Sequence, residues 1–460
     1  DRPVTKAECQ QCSYKWLVPK DCTTFADSIL ADGDRLTFAH QNREQTVFDF
    51  TVGYERLDAI KDSHVEPIQP KFVDFQKELT FGTTKKKLPF IYKQNTTNDL
   101  FPLAFHYEFG NQADNRYDIA ADYIALLGTD KLTNEDIQKK FYEMACSYRI
   151  SVAEDQMTIN ITGLSDRMPE ALTLTEQVLS GAKADKEVYQ QYVEQLLKMR
   201  DDEKKEQRPC FNRAWNYAIY GAYNPYTNIM SADALKSADP QTLLDLLKNL
   251  SGIEHTIIYY GPSSAKDVAA LVSRLHKTPK KLQAALENKP YVLQPNTIVF
   301  QELREARGLA YNASAYYASP DRKGEPEYVM EHIISQNDKM ADCISVFNDI
   351  TEQMPQSEAA FQLAKQSLTK TLQSRRVTRL ALINYYFQMK KLGLTGDLYE
   401  SVYNALPSLT LQDITRFEQQ HMTQKPWRYI ILGDEKELDM NSLQKIAPVK
   451  RLTLEEIFGY

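Results

Sequence analysis

Two apolar segments most constrain what this chain can fold into. His255–Tyr260 (HTIIYY) runs into Gly261 and then a helical stretch from Ala265 to His276. Trp427–Leu432 (WRYIIL) runs into Gly433 and a helical stretch from about Lys436. The two glycines lie 172 residues apart, which is too long for a solenoid repeat and the right size for a duplicated domain. A hairpin precedes the first closing strand. Tyr148, Ile150 and Val152 alternate on one side of the turn Glu154-Asp155, and Met157, Ile159 and Ile161 alternate on the other. Helical patterns gathered around hairpins predict α+β domains, each a mainly antiparallel sheet packed with helices, and not a doubly wound parallel sheet.

The remaining pattern divides the chain into three parts. Residues 1–78 read as a lead-in or interdomain linker with one hairpin. Its strands are Arg35–Ala39 and Thr46–Val52, and the two prolines of Glu66–Lys71 mark linker. Residues 79–280 form the first α+β domain. Phe101–Phe109 suits a strand, and Tyr117–Leu127 puts Ile119, Tyr123, Ile124 and Leu127 on one helical face. Thr133 caps a helix with an apolar stripe of Ile137, Phe141, Met144 and Ala145. The charged stretch Glu187–Gln207 reads as a solvated outer helix, and Asp239-Pro240 starts another helix in cap-then-Pro order. Residues 277–296 read as linker. Residues 281–460 form the second domain, with a helix Thr297–Arg307, strands at Leu309–Ser319 and near Tyr328–Ser335, and three or more helices over Asp338–Met422.

Composition excludes whole classes of function. A chain of 460 residues with 42% hydrophobic and 25% charged residues folds around a sizeable core and is not disordered. A net charge of −7 without a Lys/Arg stripe argues against nucleic acid as a partner, and no apolar run is long enough to span a bilayer. Cys9-x-x-Cys12 with Cys22 would need a fourth zinc ligand such as His40, and the polar surroundings lack the strand-to-helix setting of a redox pair. Free thiols or one disulfide are the favoured reading. Cys146, Cys210 and Cys343 are isolated and expected to be buried. Of seven histidines the closest two, His255 and His276, are 21 residues apart, so none share the i, i+4 spacing of a helical zinc site. Neither H-E-x-x-H nor H-x-x-E-H occurs, nor any nucleophile elbow or phosphate loop. His106 and Glu108 share a strand face and read as ordinary strand surface. No catalytic or metal-ligating residue is assigned within the chain.

One segment does carry a pattern. Phe300, Leu303 and Arg304 sit at helical spacing before Gly308, and Leu309 and Tyr311 follow on a strand. This F-x-x-L-R-x-x-x-x-L-x-Y run resembles the fourth domain of the insulinase-like (pitrilysin) zinc metallopeptidases. Tyr223-Asn224-Pro225-Tyr226 resembles the family's NPY-like turn. The resemblance covers Leu88–Tyr460 and implies the third and fourth domains, the non-catalytic C-terminal half. Such a half forms a chamber wall that binds a peptide or unfolded polypeptide opposite an N-terminal half, on the same polypeptide or a separate subunit. That other half would hold the zinc, outside this chain, so whether this chain counts as an enzyme depends on it. By position the substrate-binding residues are Arg304 and Tyr311, whose guanidinium and phenol can donate to a carbonyl and to a developing oxyanion. The positions of H-x-x-E-H in the first α+β domain fall on Ile119-Ala120-Ala121-Asp122-Tyr123 and keep only the acid. The family also places a strand and a long helix before F-x-x-L-R, whereas about ten residues separate Pro290 from Phe300, so a segment near 296–297 is expected to be missing. The alternative is an inactive partner subunit or peptide-binding scaffold of the same fold. Compartment stays open, with a periplasmic or exported bacterial protein preferred.

Overall fold

The computed structural model describes residues 2–3, 35–42, 45–51, 68–292 and 312–460, except 326, 353–355, 424 and 426. Residues 1–69 and 70–460 form two compact units. In the first unit β1 (Arg2–Pro3) pairs with β2 (Arg35–Asn42), and β2 pairs with β3 (Gln45–Thr51), all antiparallel. The expected hairpin is present, with strands that run further into the turn than the polar residues suggested.

The second unit is built on a six-stranded sheet. After a one-turn helix α1 (Phe75–Glu78), the strands are β4 (Thr80–Thr83), β5 (Pro89–Gln94), β6 (Leu100–Tyr107), β7 (Cys146–Val152), β8 (Met157–Leu164) and β9 (Thr256–Gly261). Their order is β4-β5-β9-β6-β8-β7. Every pairing is antiparallel except β5 with β9. The last strand in sequence is therefore inserted between two that are adjacent in sequence. Gly261 is required where β9 ends. A Cβ there would lie 2.2 Å from the Tyr259 hydroxyl, which folds back over it to accept from the Ser263 amide.

Both faces of the sheet are covered, which is why β6 and β9 read as nearly continuous apolar runs. On one face Phe90, Leu103, Phe105, Ile159, Ile161, Ile257 and Tyr259 pack against α2 (Arg116–Ile124), α3 (Asn134–Glu143), α4 (Met168–Gly181), α5 (Lys186–Glu203), α8 (Pro240–Asn249) and α9 (Ala265–Leu275). Thr133 caps α3 as expected, in a capping box with Asp136. Helix α5 is less solvated than its charge suggests, because Tyr189, Val193 and Arg200 are buried and Arg200 donates to the Met230 carbonyl at 2.8 Å. Between α5 and α8 lie α6 (Gln207–Tyr220) and α7 (Ala232–Ser237).

The opposite face meets residues far along the chain. Ile91, Ala104, Ile258 and Tyr260 pack against Leu382, Ile383, Phe387 and Met389 of a helix at Leu380–Lys391. The later elements are β10 (Asn312–Ala318), β11 (Tyr328–Ile334), α10 (Met340–Glu352), α11 (Glu358–Ser374), this helix as α12, α13 (Leu398–Ala405), α14 (Leu411–His421), α15 (Met440–Ile446) and α16 (Leu454–Phe458). The exchange is mutual. Helix α6 leaves the first sheet, placing Trp215 and Ile219 against Val329, Met330, Met422 and Trp427, and Cys210 and Ala214 against Ile457 and Phe458.

Two expectations are corrected. Trp427–Leu432 is not a strand. Strand β9 draws its ladder from β5 and β6 on either side, whereas β10 and β11 form a two-stranded sheet and no further strand among the described residues flanks Trp427–Leu432. The 277–296 stretch is not a loose linker where it is described. Gln283 bridges to Ile253, and the Asn288 side chain accepts from Gly110 N at 3.1 Å and donates to the Glu108 and Asp155 carbonyls.

Candidate functional site

The helix that the resemblance assigns to the zinc motif is α2. It starts after a loop in which Gly110 is pinned, since a Cβ there would lie 1.9 Å from the Ala153 carbonyl oxygen. Ile119 is buried in the core at 5% exposure, and Tyr123 is fully buried with its hydroxyl donating to Asp185 O and accepting from Asp185 N. Asp122 accepts from the Tyr192 hydroxyl of α5 at 3.2 Å. The positions that would carry two imidazoles hold a packed aliphatic and a satisfied phenol, so this helix does not fit a zinc ion. Among the described residues no group of three His, Cys, Asp or Glu could hold a metal.

Beside that helix lies a polar cluster. Asn111 Nδ2 donates to Asp118 at 3.1 Å, while Asn111 Oδ1 is buried without a partner. Asn228 donates to the Asn111 carbonyl at 3.0 Å and to the Tyr291 hydroxyl at 3.1 Å. Tyr291 packs against Tyr223 and Tyr220, and Tyr223 belongs to the NPY-like turn. In that turn the buried Asn224 accepts from the Tyr226 and Thr227 amides and donates to Gly221 O. It is a structural turn, held by the Asn224 side chain. Burial raises Asp118 from 3.8 to about 6, partly offset by Asn111. The folded state thus binds a proton more readily than the unfolded chain. Stability from this group is present below about pH 4 and is lost as pH rises through about 6. We expect Asp118→Asn to raise unfolding stability at pH 8 by about 1–2 kcal/mol, allowing for solvent screening, and to change little at pH 4. Chemical denaturation at the two pH values checks this.

An ionic latch joins this region to the later half. Asp155, in the β7–β8 turn, pairs with Lys391 at 2.8 Å and with Arg322, and Glu108 pairs with Lys390. His106 does not lie on open strand surface. It is buried under Phe387, with ring centroids 4.3 Å apart, and burial pushes it down to about 4.

A second buried cluster went unnoticed in the sequence. His276 Nδ1 lies 2.7 Å from Glu176, His276 Nε2 lies 3.1 Å from His255 Nε2, and His255 Nδ1 lies 2.6 Å from the Ile253 carbonyl. Its sequence signal was positional. His255 precedes β9 and His276 ends α9, and a helix folding back along its strand brings those two ends together.

A cavity of about 200 Å³ opens between α6, β11, α10 and Trp427–Leu432. Cys146, Cys210 and Cys343 are buried as expected. Arg304 and Tyr311 lie outside the described residues, as do Phe300, Leu303, Leu309, positions 296–297 and Cys9, Cys12 and Cys22, while His40 falls on β2.

Residues 1–97 match a domain of unknown function, DUF5703. No curated protein sequence matches the chain. Solved structures do. The peptidase M16 inactive domain from Pseudomonas fluorescens is 14% identical, with a TM-score of 0.55 over 75% of this chain and 95% of its own. The periplasmic protease PqqL from Escherichia coli is 11% identical, with a TM-score of 0.58 over 90% of this chain and 50% of its own. The first half of PqqL alone is 12% identical, with a TM-score of 0.54 over 86% and 97%. The chain thus spans half the length of PqqL. It has the M16, or insulinase-like, peptidase fold at the scale of one half of such a protease. Among the described residues no helix is long and apolar enough to cross a membrane.

Proposed function

We propose that this chain is the non-catalytic half of an insulinase-like zinc metallopeptidase, the chamber wall that binds peptide opposite a zinc-bearing half. The observation that carries this reading is helix α2, where the two positions that the resemblance gives to zinc-binding imidazoles hold the buried Ile119 and the hydrogen-bonded Tyr123. Arg304 and Tyr311 are the proposed substrate contacts, through donation to the peptide carbonyl and its oxyanion. The zinc belongs to the other half. No step of hydrolysis runs through a metal held here.

The chain is further proposed to contain two copies of one domain. The short 3₁₀ turns Ser165–Arg167 and Asn337–Lys339, the helix starts Met168 and Met340, and the closing glycines all recur at the same 172-residue offset. The exchange of α6 and α12 between the two sheets supports the same relation. A segment near 296–297 supplying the strand and long helix that the family places before F-x-x-L-R, and a location in the bacterial envelope, complete the proposal. PqqL is periplasmic by its name.

The test is kinetic. With the zinc-bearing half present, Arg304→Ala and Tyr311→Phe should each lower kcat/KM for an unfolded peptide by about 10²–10³-fold, the usual loss for one oxyanion donor, with zinc content unchanged. Unchanged kinetics would remove both residues from the mechanism. A partner that lacks zinc and peptidase activity would favour the inactive-scaffold reading instead.

A further inference from the structure

Three contacts in the cluster of Glu176, His276 and His255 fix where protons sit. The Ile253 carbonyl can only accept, so the 2.6 Å contact places a hydrogen on His255 Nδ1. The Glu176 contact at 2.7 Å needs a hydrogen between its carboxyl and His276 Nδ1. The third contact joins two Nε2 atoms at 3.1 Å, and two lone pairs cannot face each other at that distance, so it too needs a hydrogen. Two neutral imidazoles and a carboxylate hold one hydrogen too few. Each neutral arrangement fails at a contact. Donating His276 Nε2–H to His255 turns a bare Nδ1 toward the carboxylate, and donating Nδ1–H to Glu176 leaves the two Nε2 lone pairs opposed.

We infer that Glu176, His276 and His255 form a buried site for one additional proton, held between the two imidazoles and balanced by the carboxylate. The surroundings favour a proton over a metal ion. Phe105 stacks on His276 with ring centroids 4.3 Å apart, Tyr107 lies against His255, and both histidines are at most 5% exposed. Because His255 keeps its hydrogen on Nδ1 for the Ile253 carbonyl, its Nε2 is the acceptor, and His276, which must donate at both nitrogens, carries the proton. The other charged or titratable groups at the site are Lys86, whose Nζ donates to His276 O at 2.8 Å, and Lys277 and Lys248, which line the cavity of about 280 Å³ beyond Glu176 and the buried Tyr107 hydroxyl. These lysines oppose the proton and Glu176 holds it. The proton ties α4, the end of α9 and the start of β9 into one unit. The proposal stands apart from the peptidase reading.

The experiment is imidazole ¹⁵N–¹H correlation spectroscopy of the full chain at pH 8, where a free histidine of ordinary value ~6.5 is neutral. One doubly protonated histidine is expected, lost in His276→Asn. Two neutral histidines, with or without metal in the sample, would overturn the inference. So would stoichiometric Zn²⁺ binding that replaces the signal, because the site would then be a metal site. In Glu176→Gln the doubly protonated signal should vanish at pH 8. Its persistence would refute the role given to the carboxylate, and the wild-type spectrum decides the matter even if that variant does not fold.

Discussion

Asp397→Ala is expected to destabilise the protein by about 3–5 kcal/mol, the cost of emptying a buried, fully hydrogen-bonded carboxylate position. The Asp397 side chain is fully buried, and its two oxygens serve different parts of the chain. Oδ1 accepts from the Tyr385 hydroxyl of α12 at 2.6 Å and from the Tyr399 amide at 3.0 Å, capping α13. Oδ2 accepts from the Val73 amide at 2.9 Å and faces Arg375 at 3.5 Å. The Arg375 guanidinium in turn lies over the rings of Tyr385 and Tyr399. Removing the carboxylate orphans a buried phenol and a buried amide, leaves Arg375 without its counter-charge and uncaps a helix. Asp397→Asn should recover only part of the loss. Its amide oxygen can replace Oδ1, but its NH₂ would then meet the Val73 N–H donor to donor. Equal stability of the Asp397→Asn variant and the wild-type protein by urea denaturation would contradict this assignment.

The second large effect concerns the exchanged helix. A fragment ending at Val292 keeps the whole six-stranded sheet but loses α12, leaving Ile91, Ala104, Ile258 and Tyr260 uncovered on one face. It also loses the partners of Asp155 and Glu108 in the ionic latch. A sheet with so large a bare apolar face binds hydrophobic dye and associates. The fragment 70–292 is therefore expected to show native-like secondary structure without a cooperative thermal transition, and to self-associate on size exclusion. A monomeric fragment melting in one sharp step would mean that α12 contributes little to the stability of the first sheet.

Much of the fold was legible because its signals are local. The alternation of Met157, Ile159 and Ile161 needs only the two-residue period of a strand. The Thr133 capping box and the Asp239-Pro240 helix start depend on residues within one turn of each other. That Ile119 and Tyr123 share one face of α2 was readable for the same reason, since i, i+4 spacing is a property of one helix. WRYIIL misled because its composition suits a strand, but a strand exists only if neighbours supply its ladder, and composition does not say whether they are there.

The sequence by itself determined the α+β class and the order of most elements. Only the tertiary structure decided that β9 inserts beside β5, that α6 and α12 cross to cover each other's sheets, and that His255, His276 and Glu176 meet. The physical reason is the range of the interactions. Backbone periodicity and capping are written within a few residues. Glu176 and His276 are 100 positions apart, and Val73 and Asp397 are 324 apart. A parallel ladder, an exchanged apolar face or a buried polar cluster forms only where the whole chain, in burying its apolar surface, brings such distant residues together.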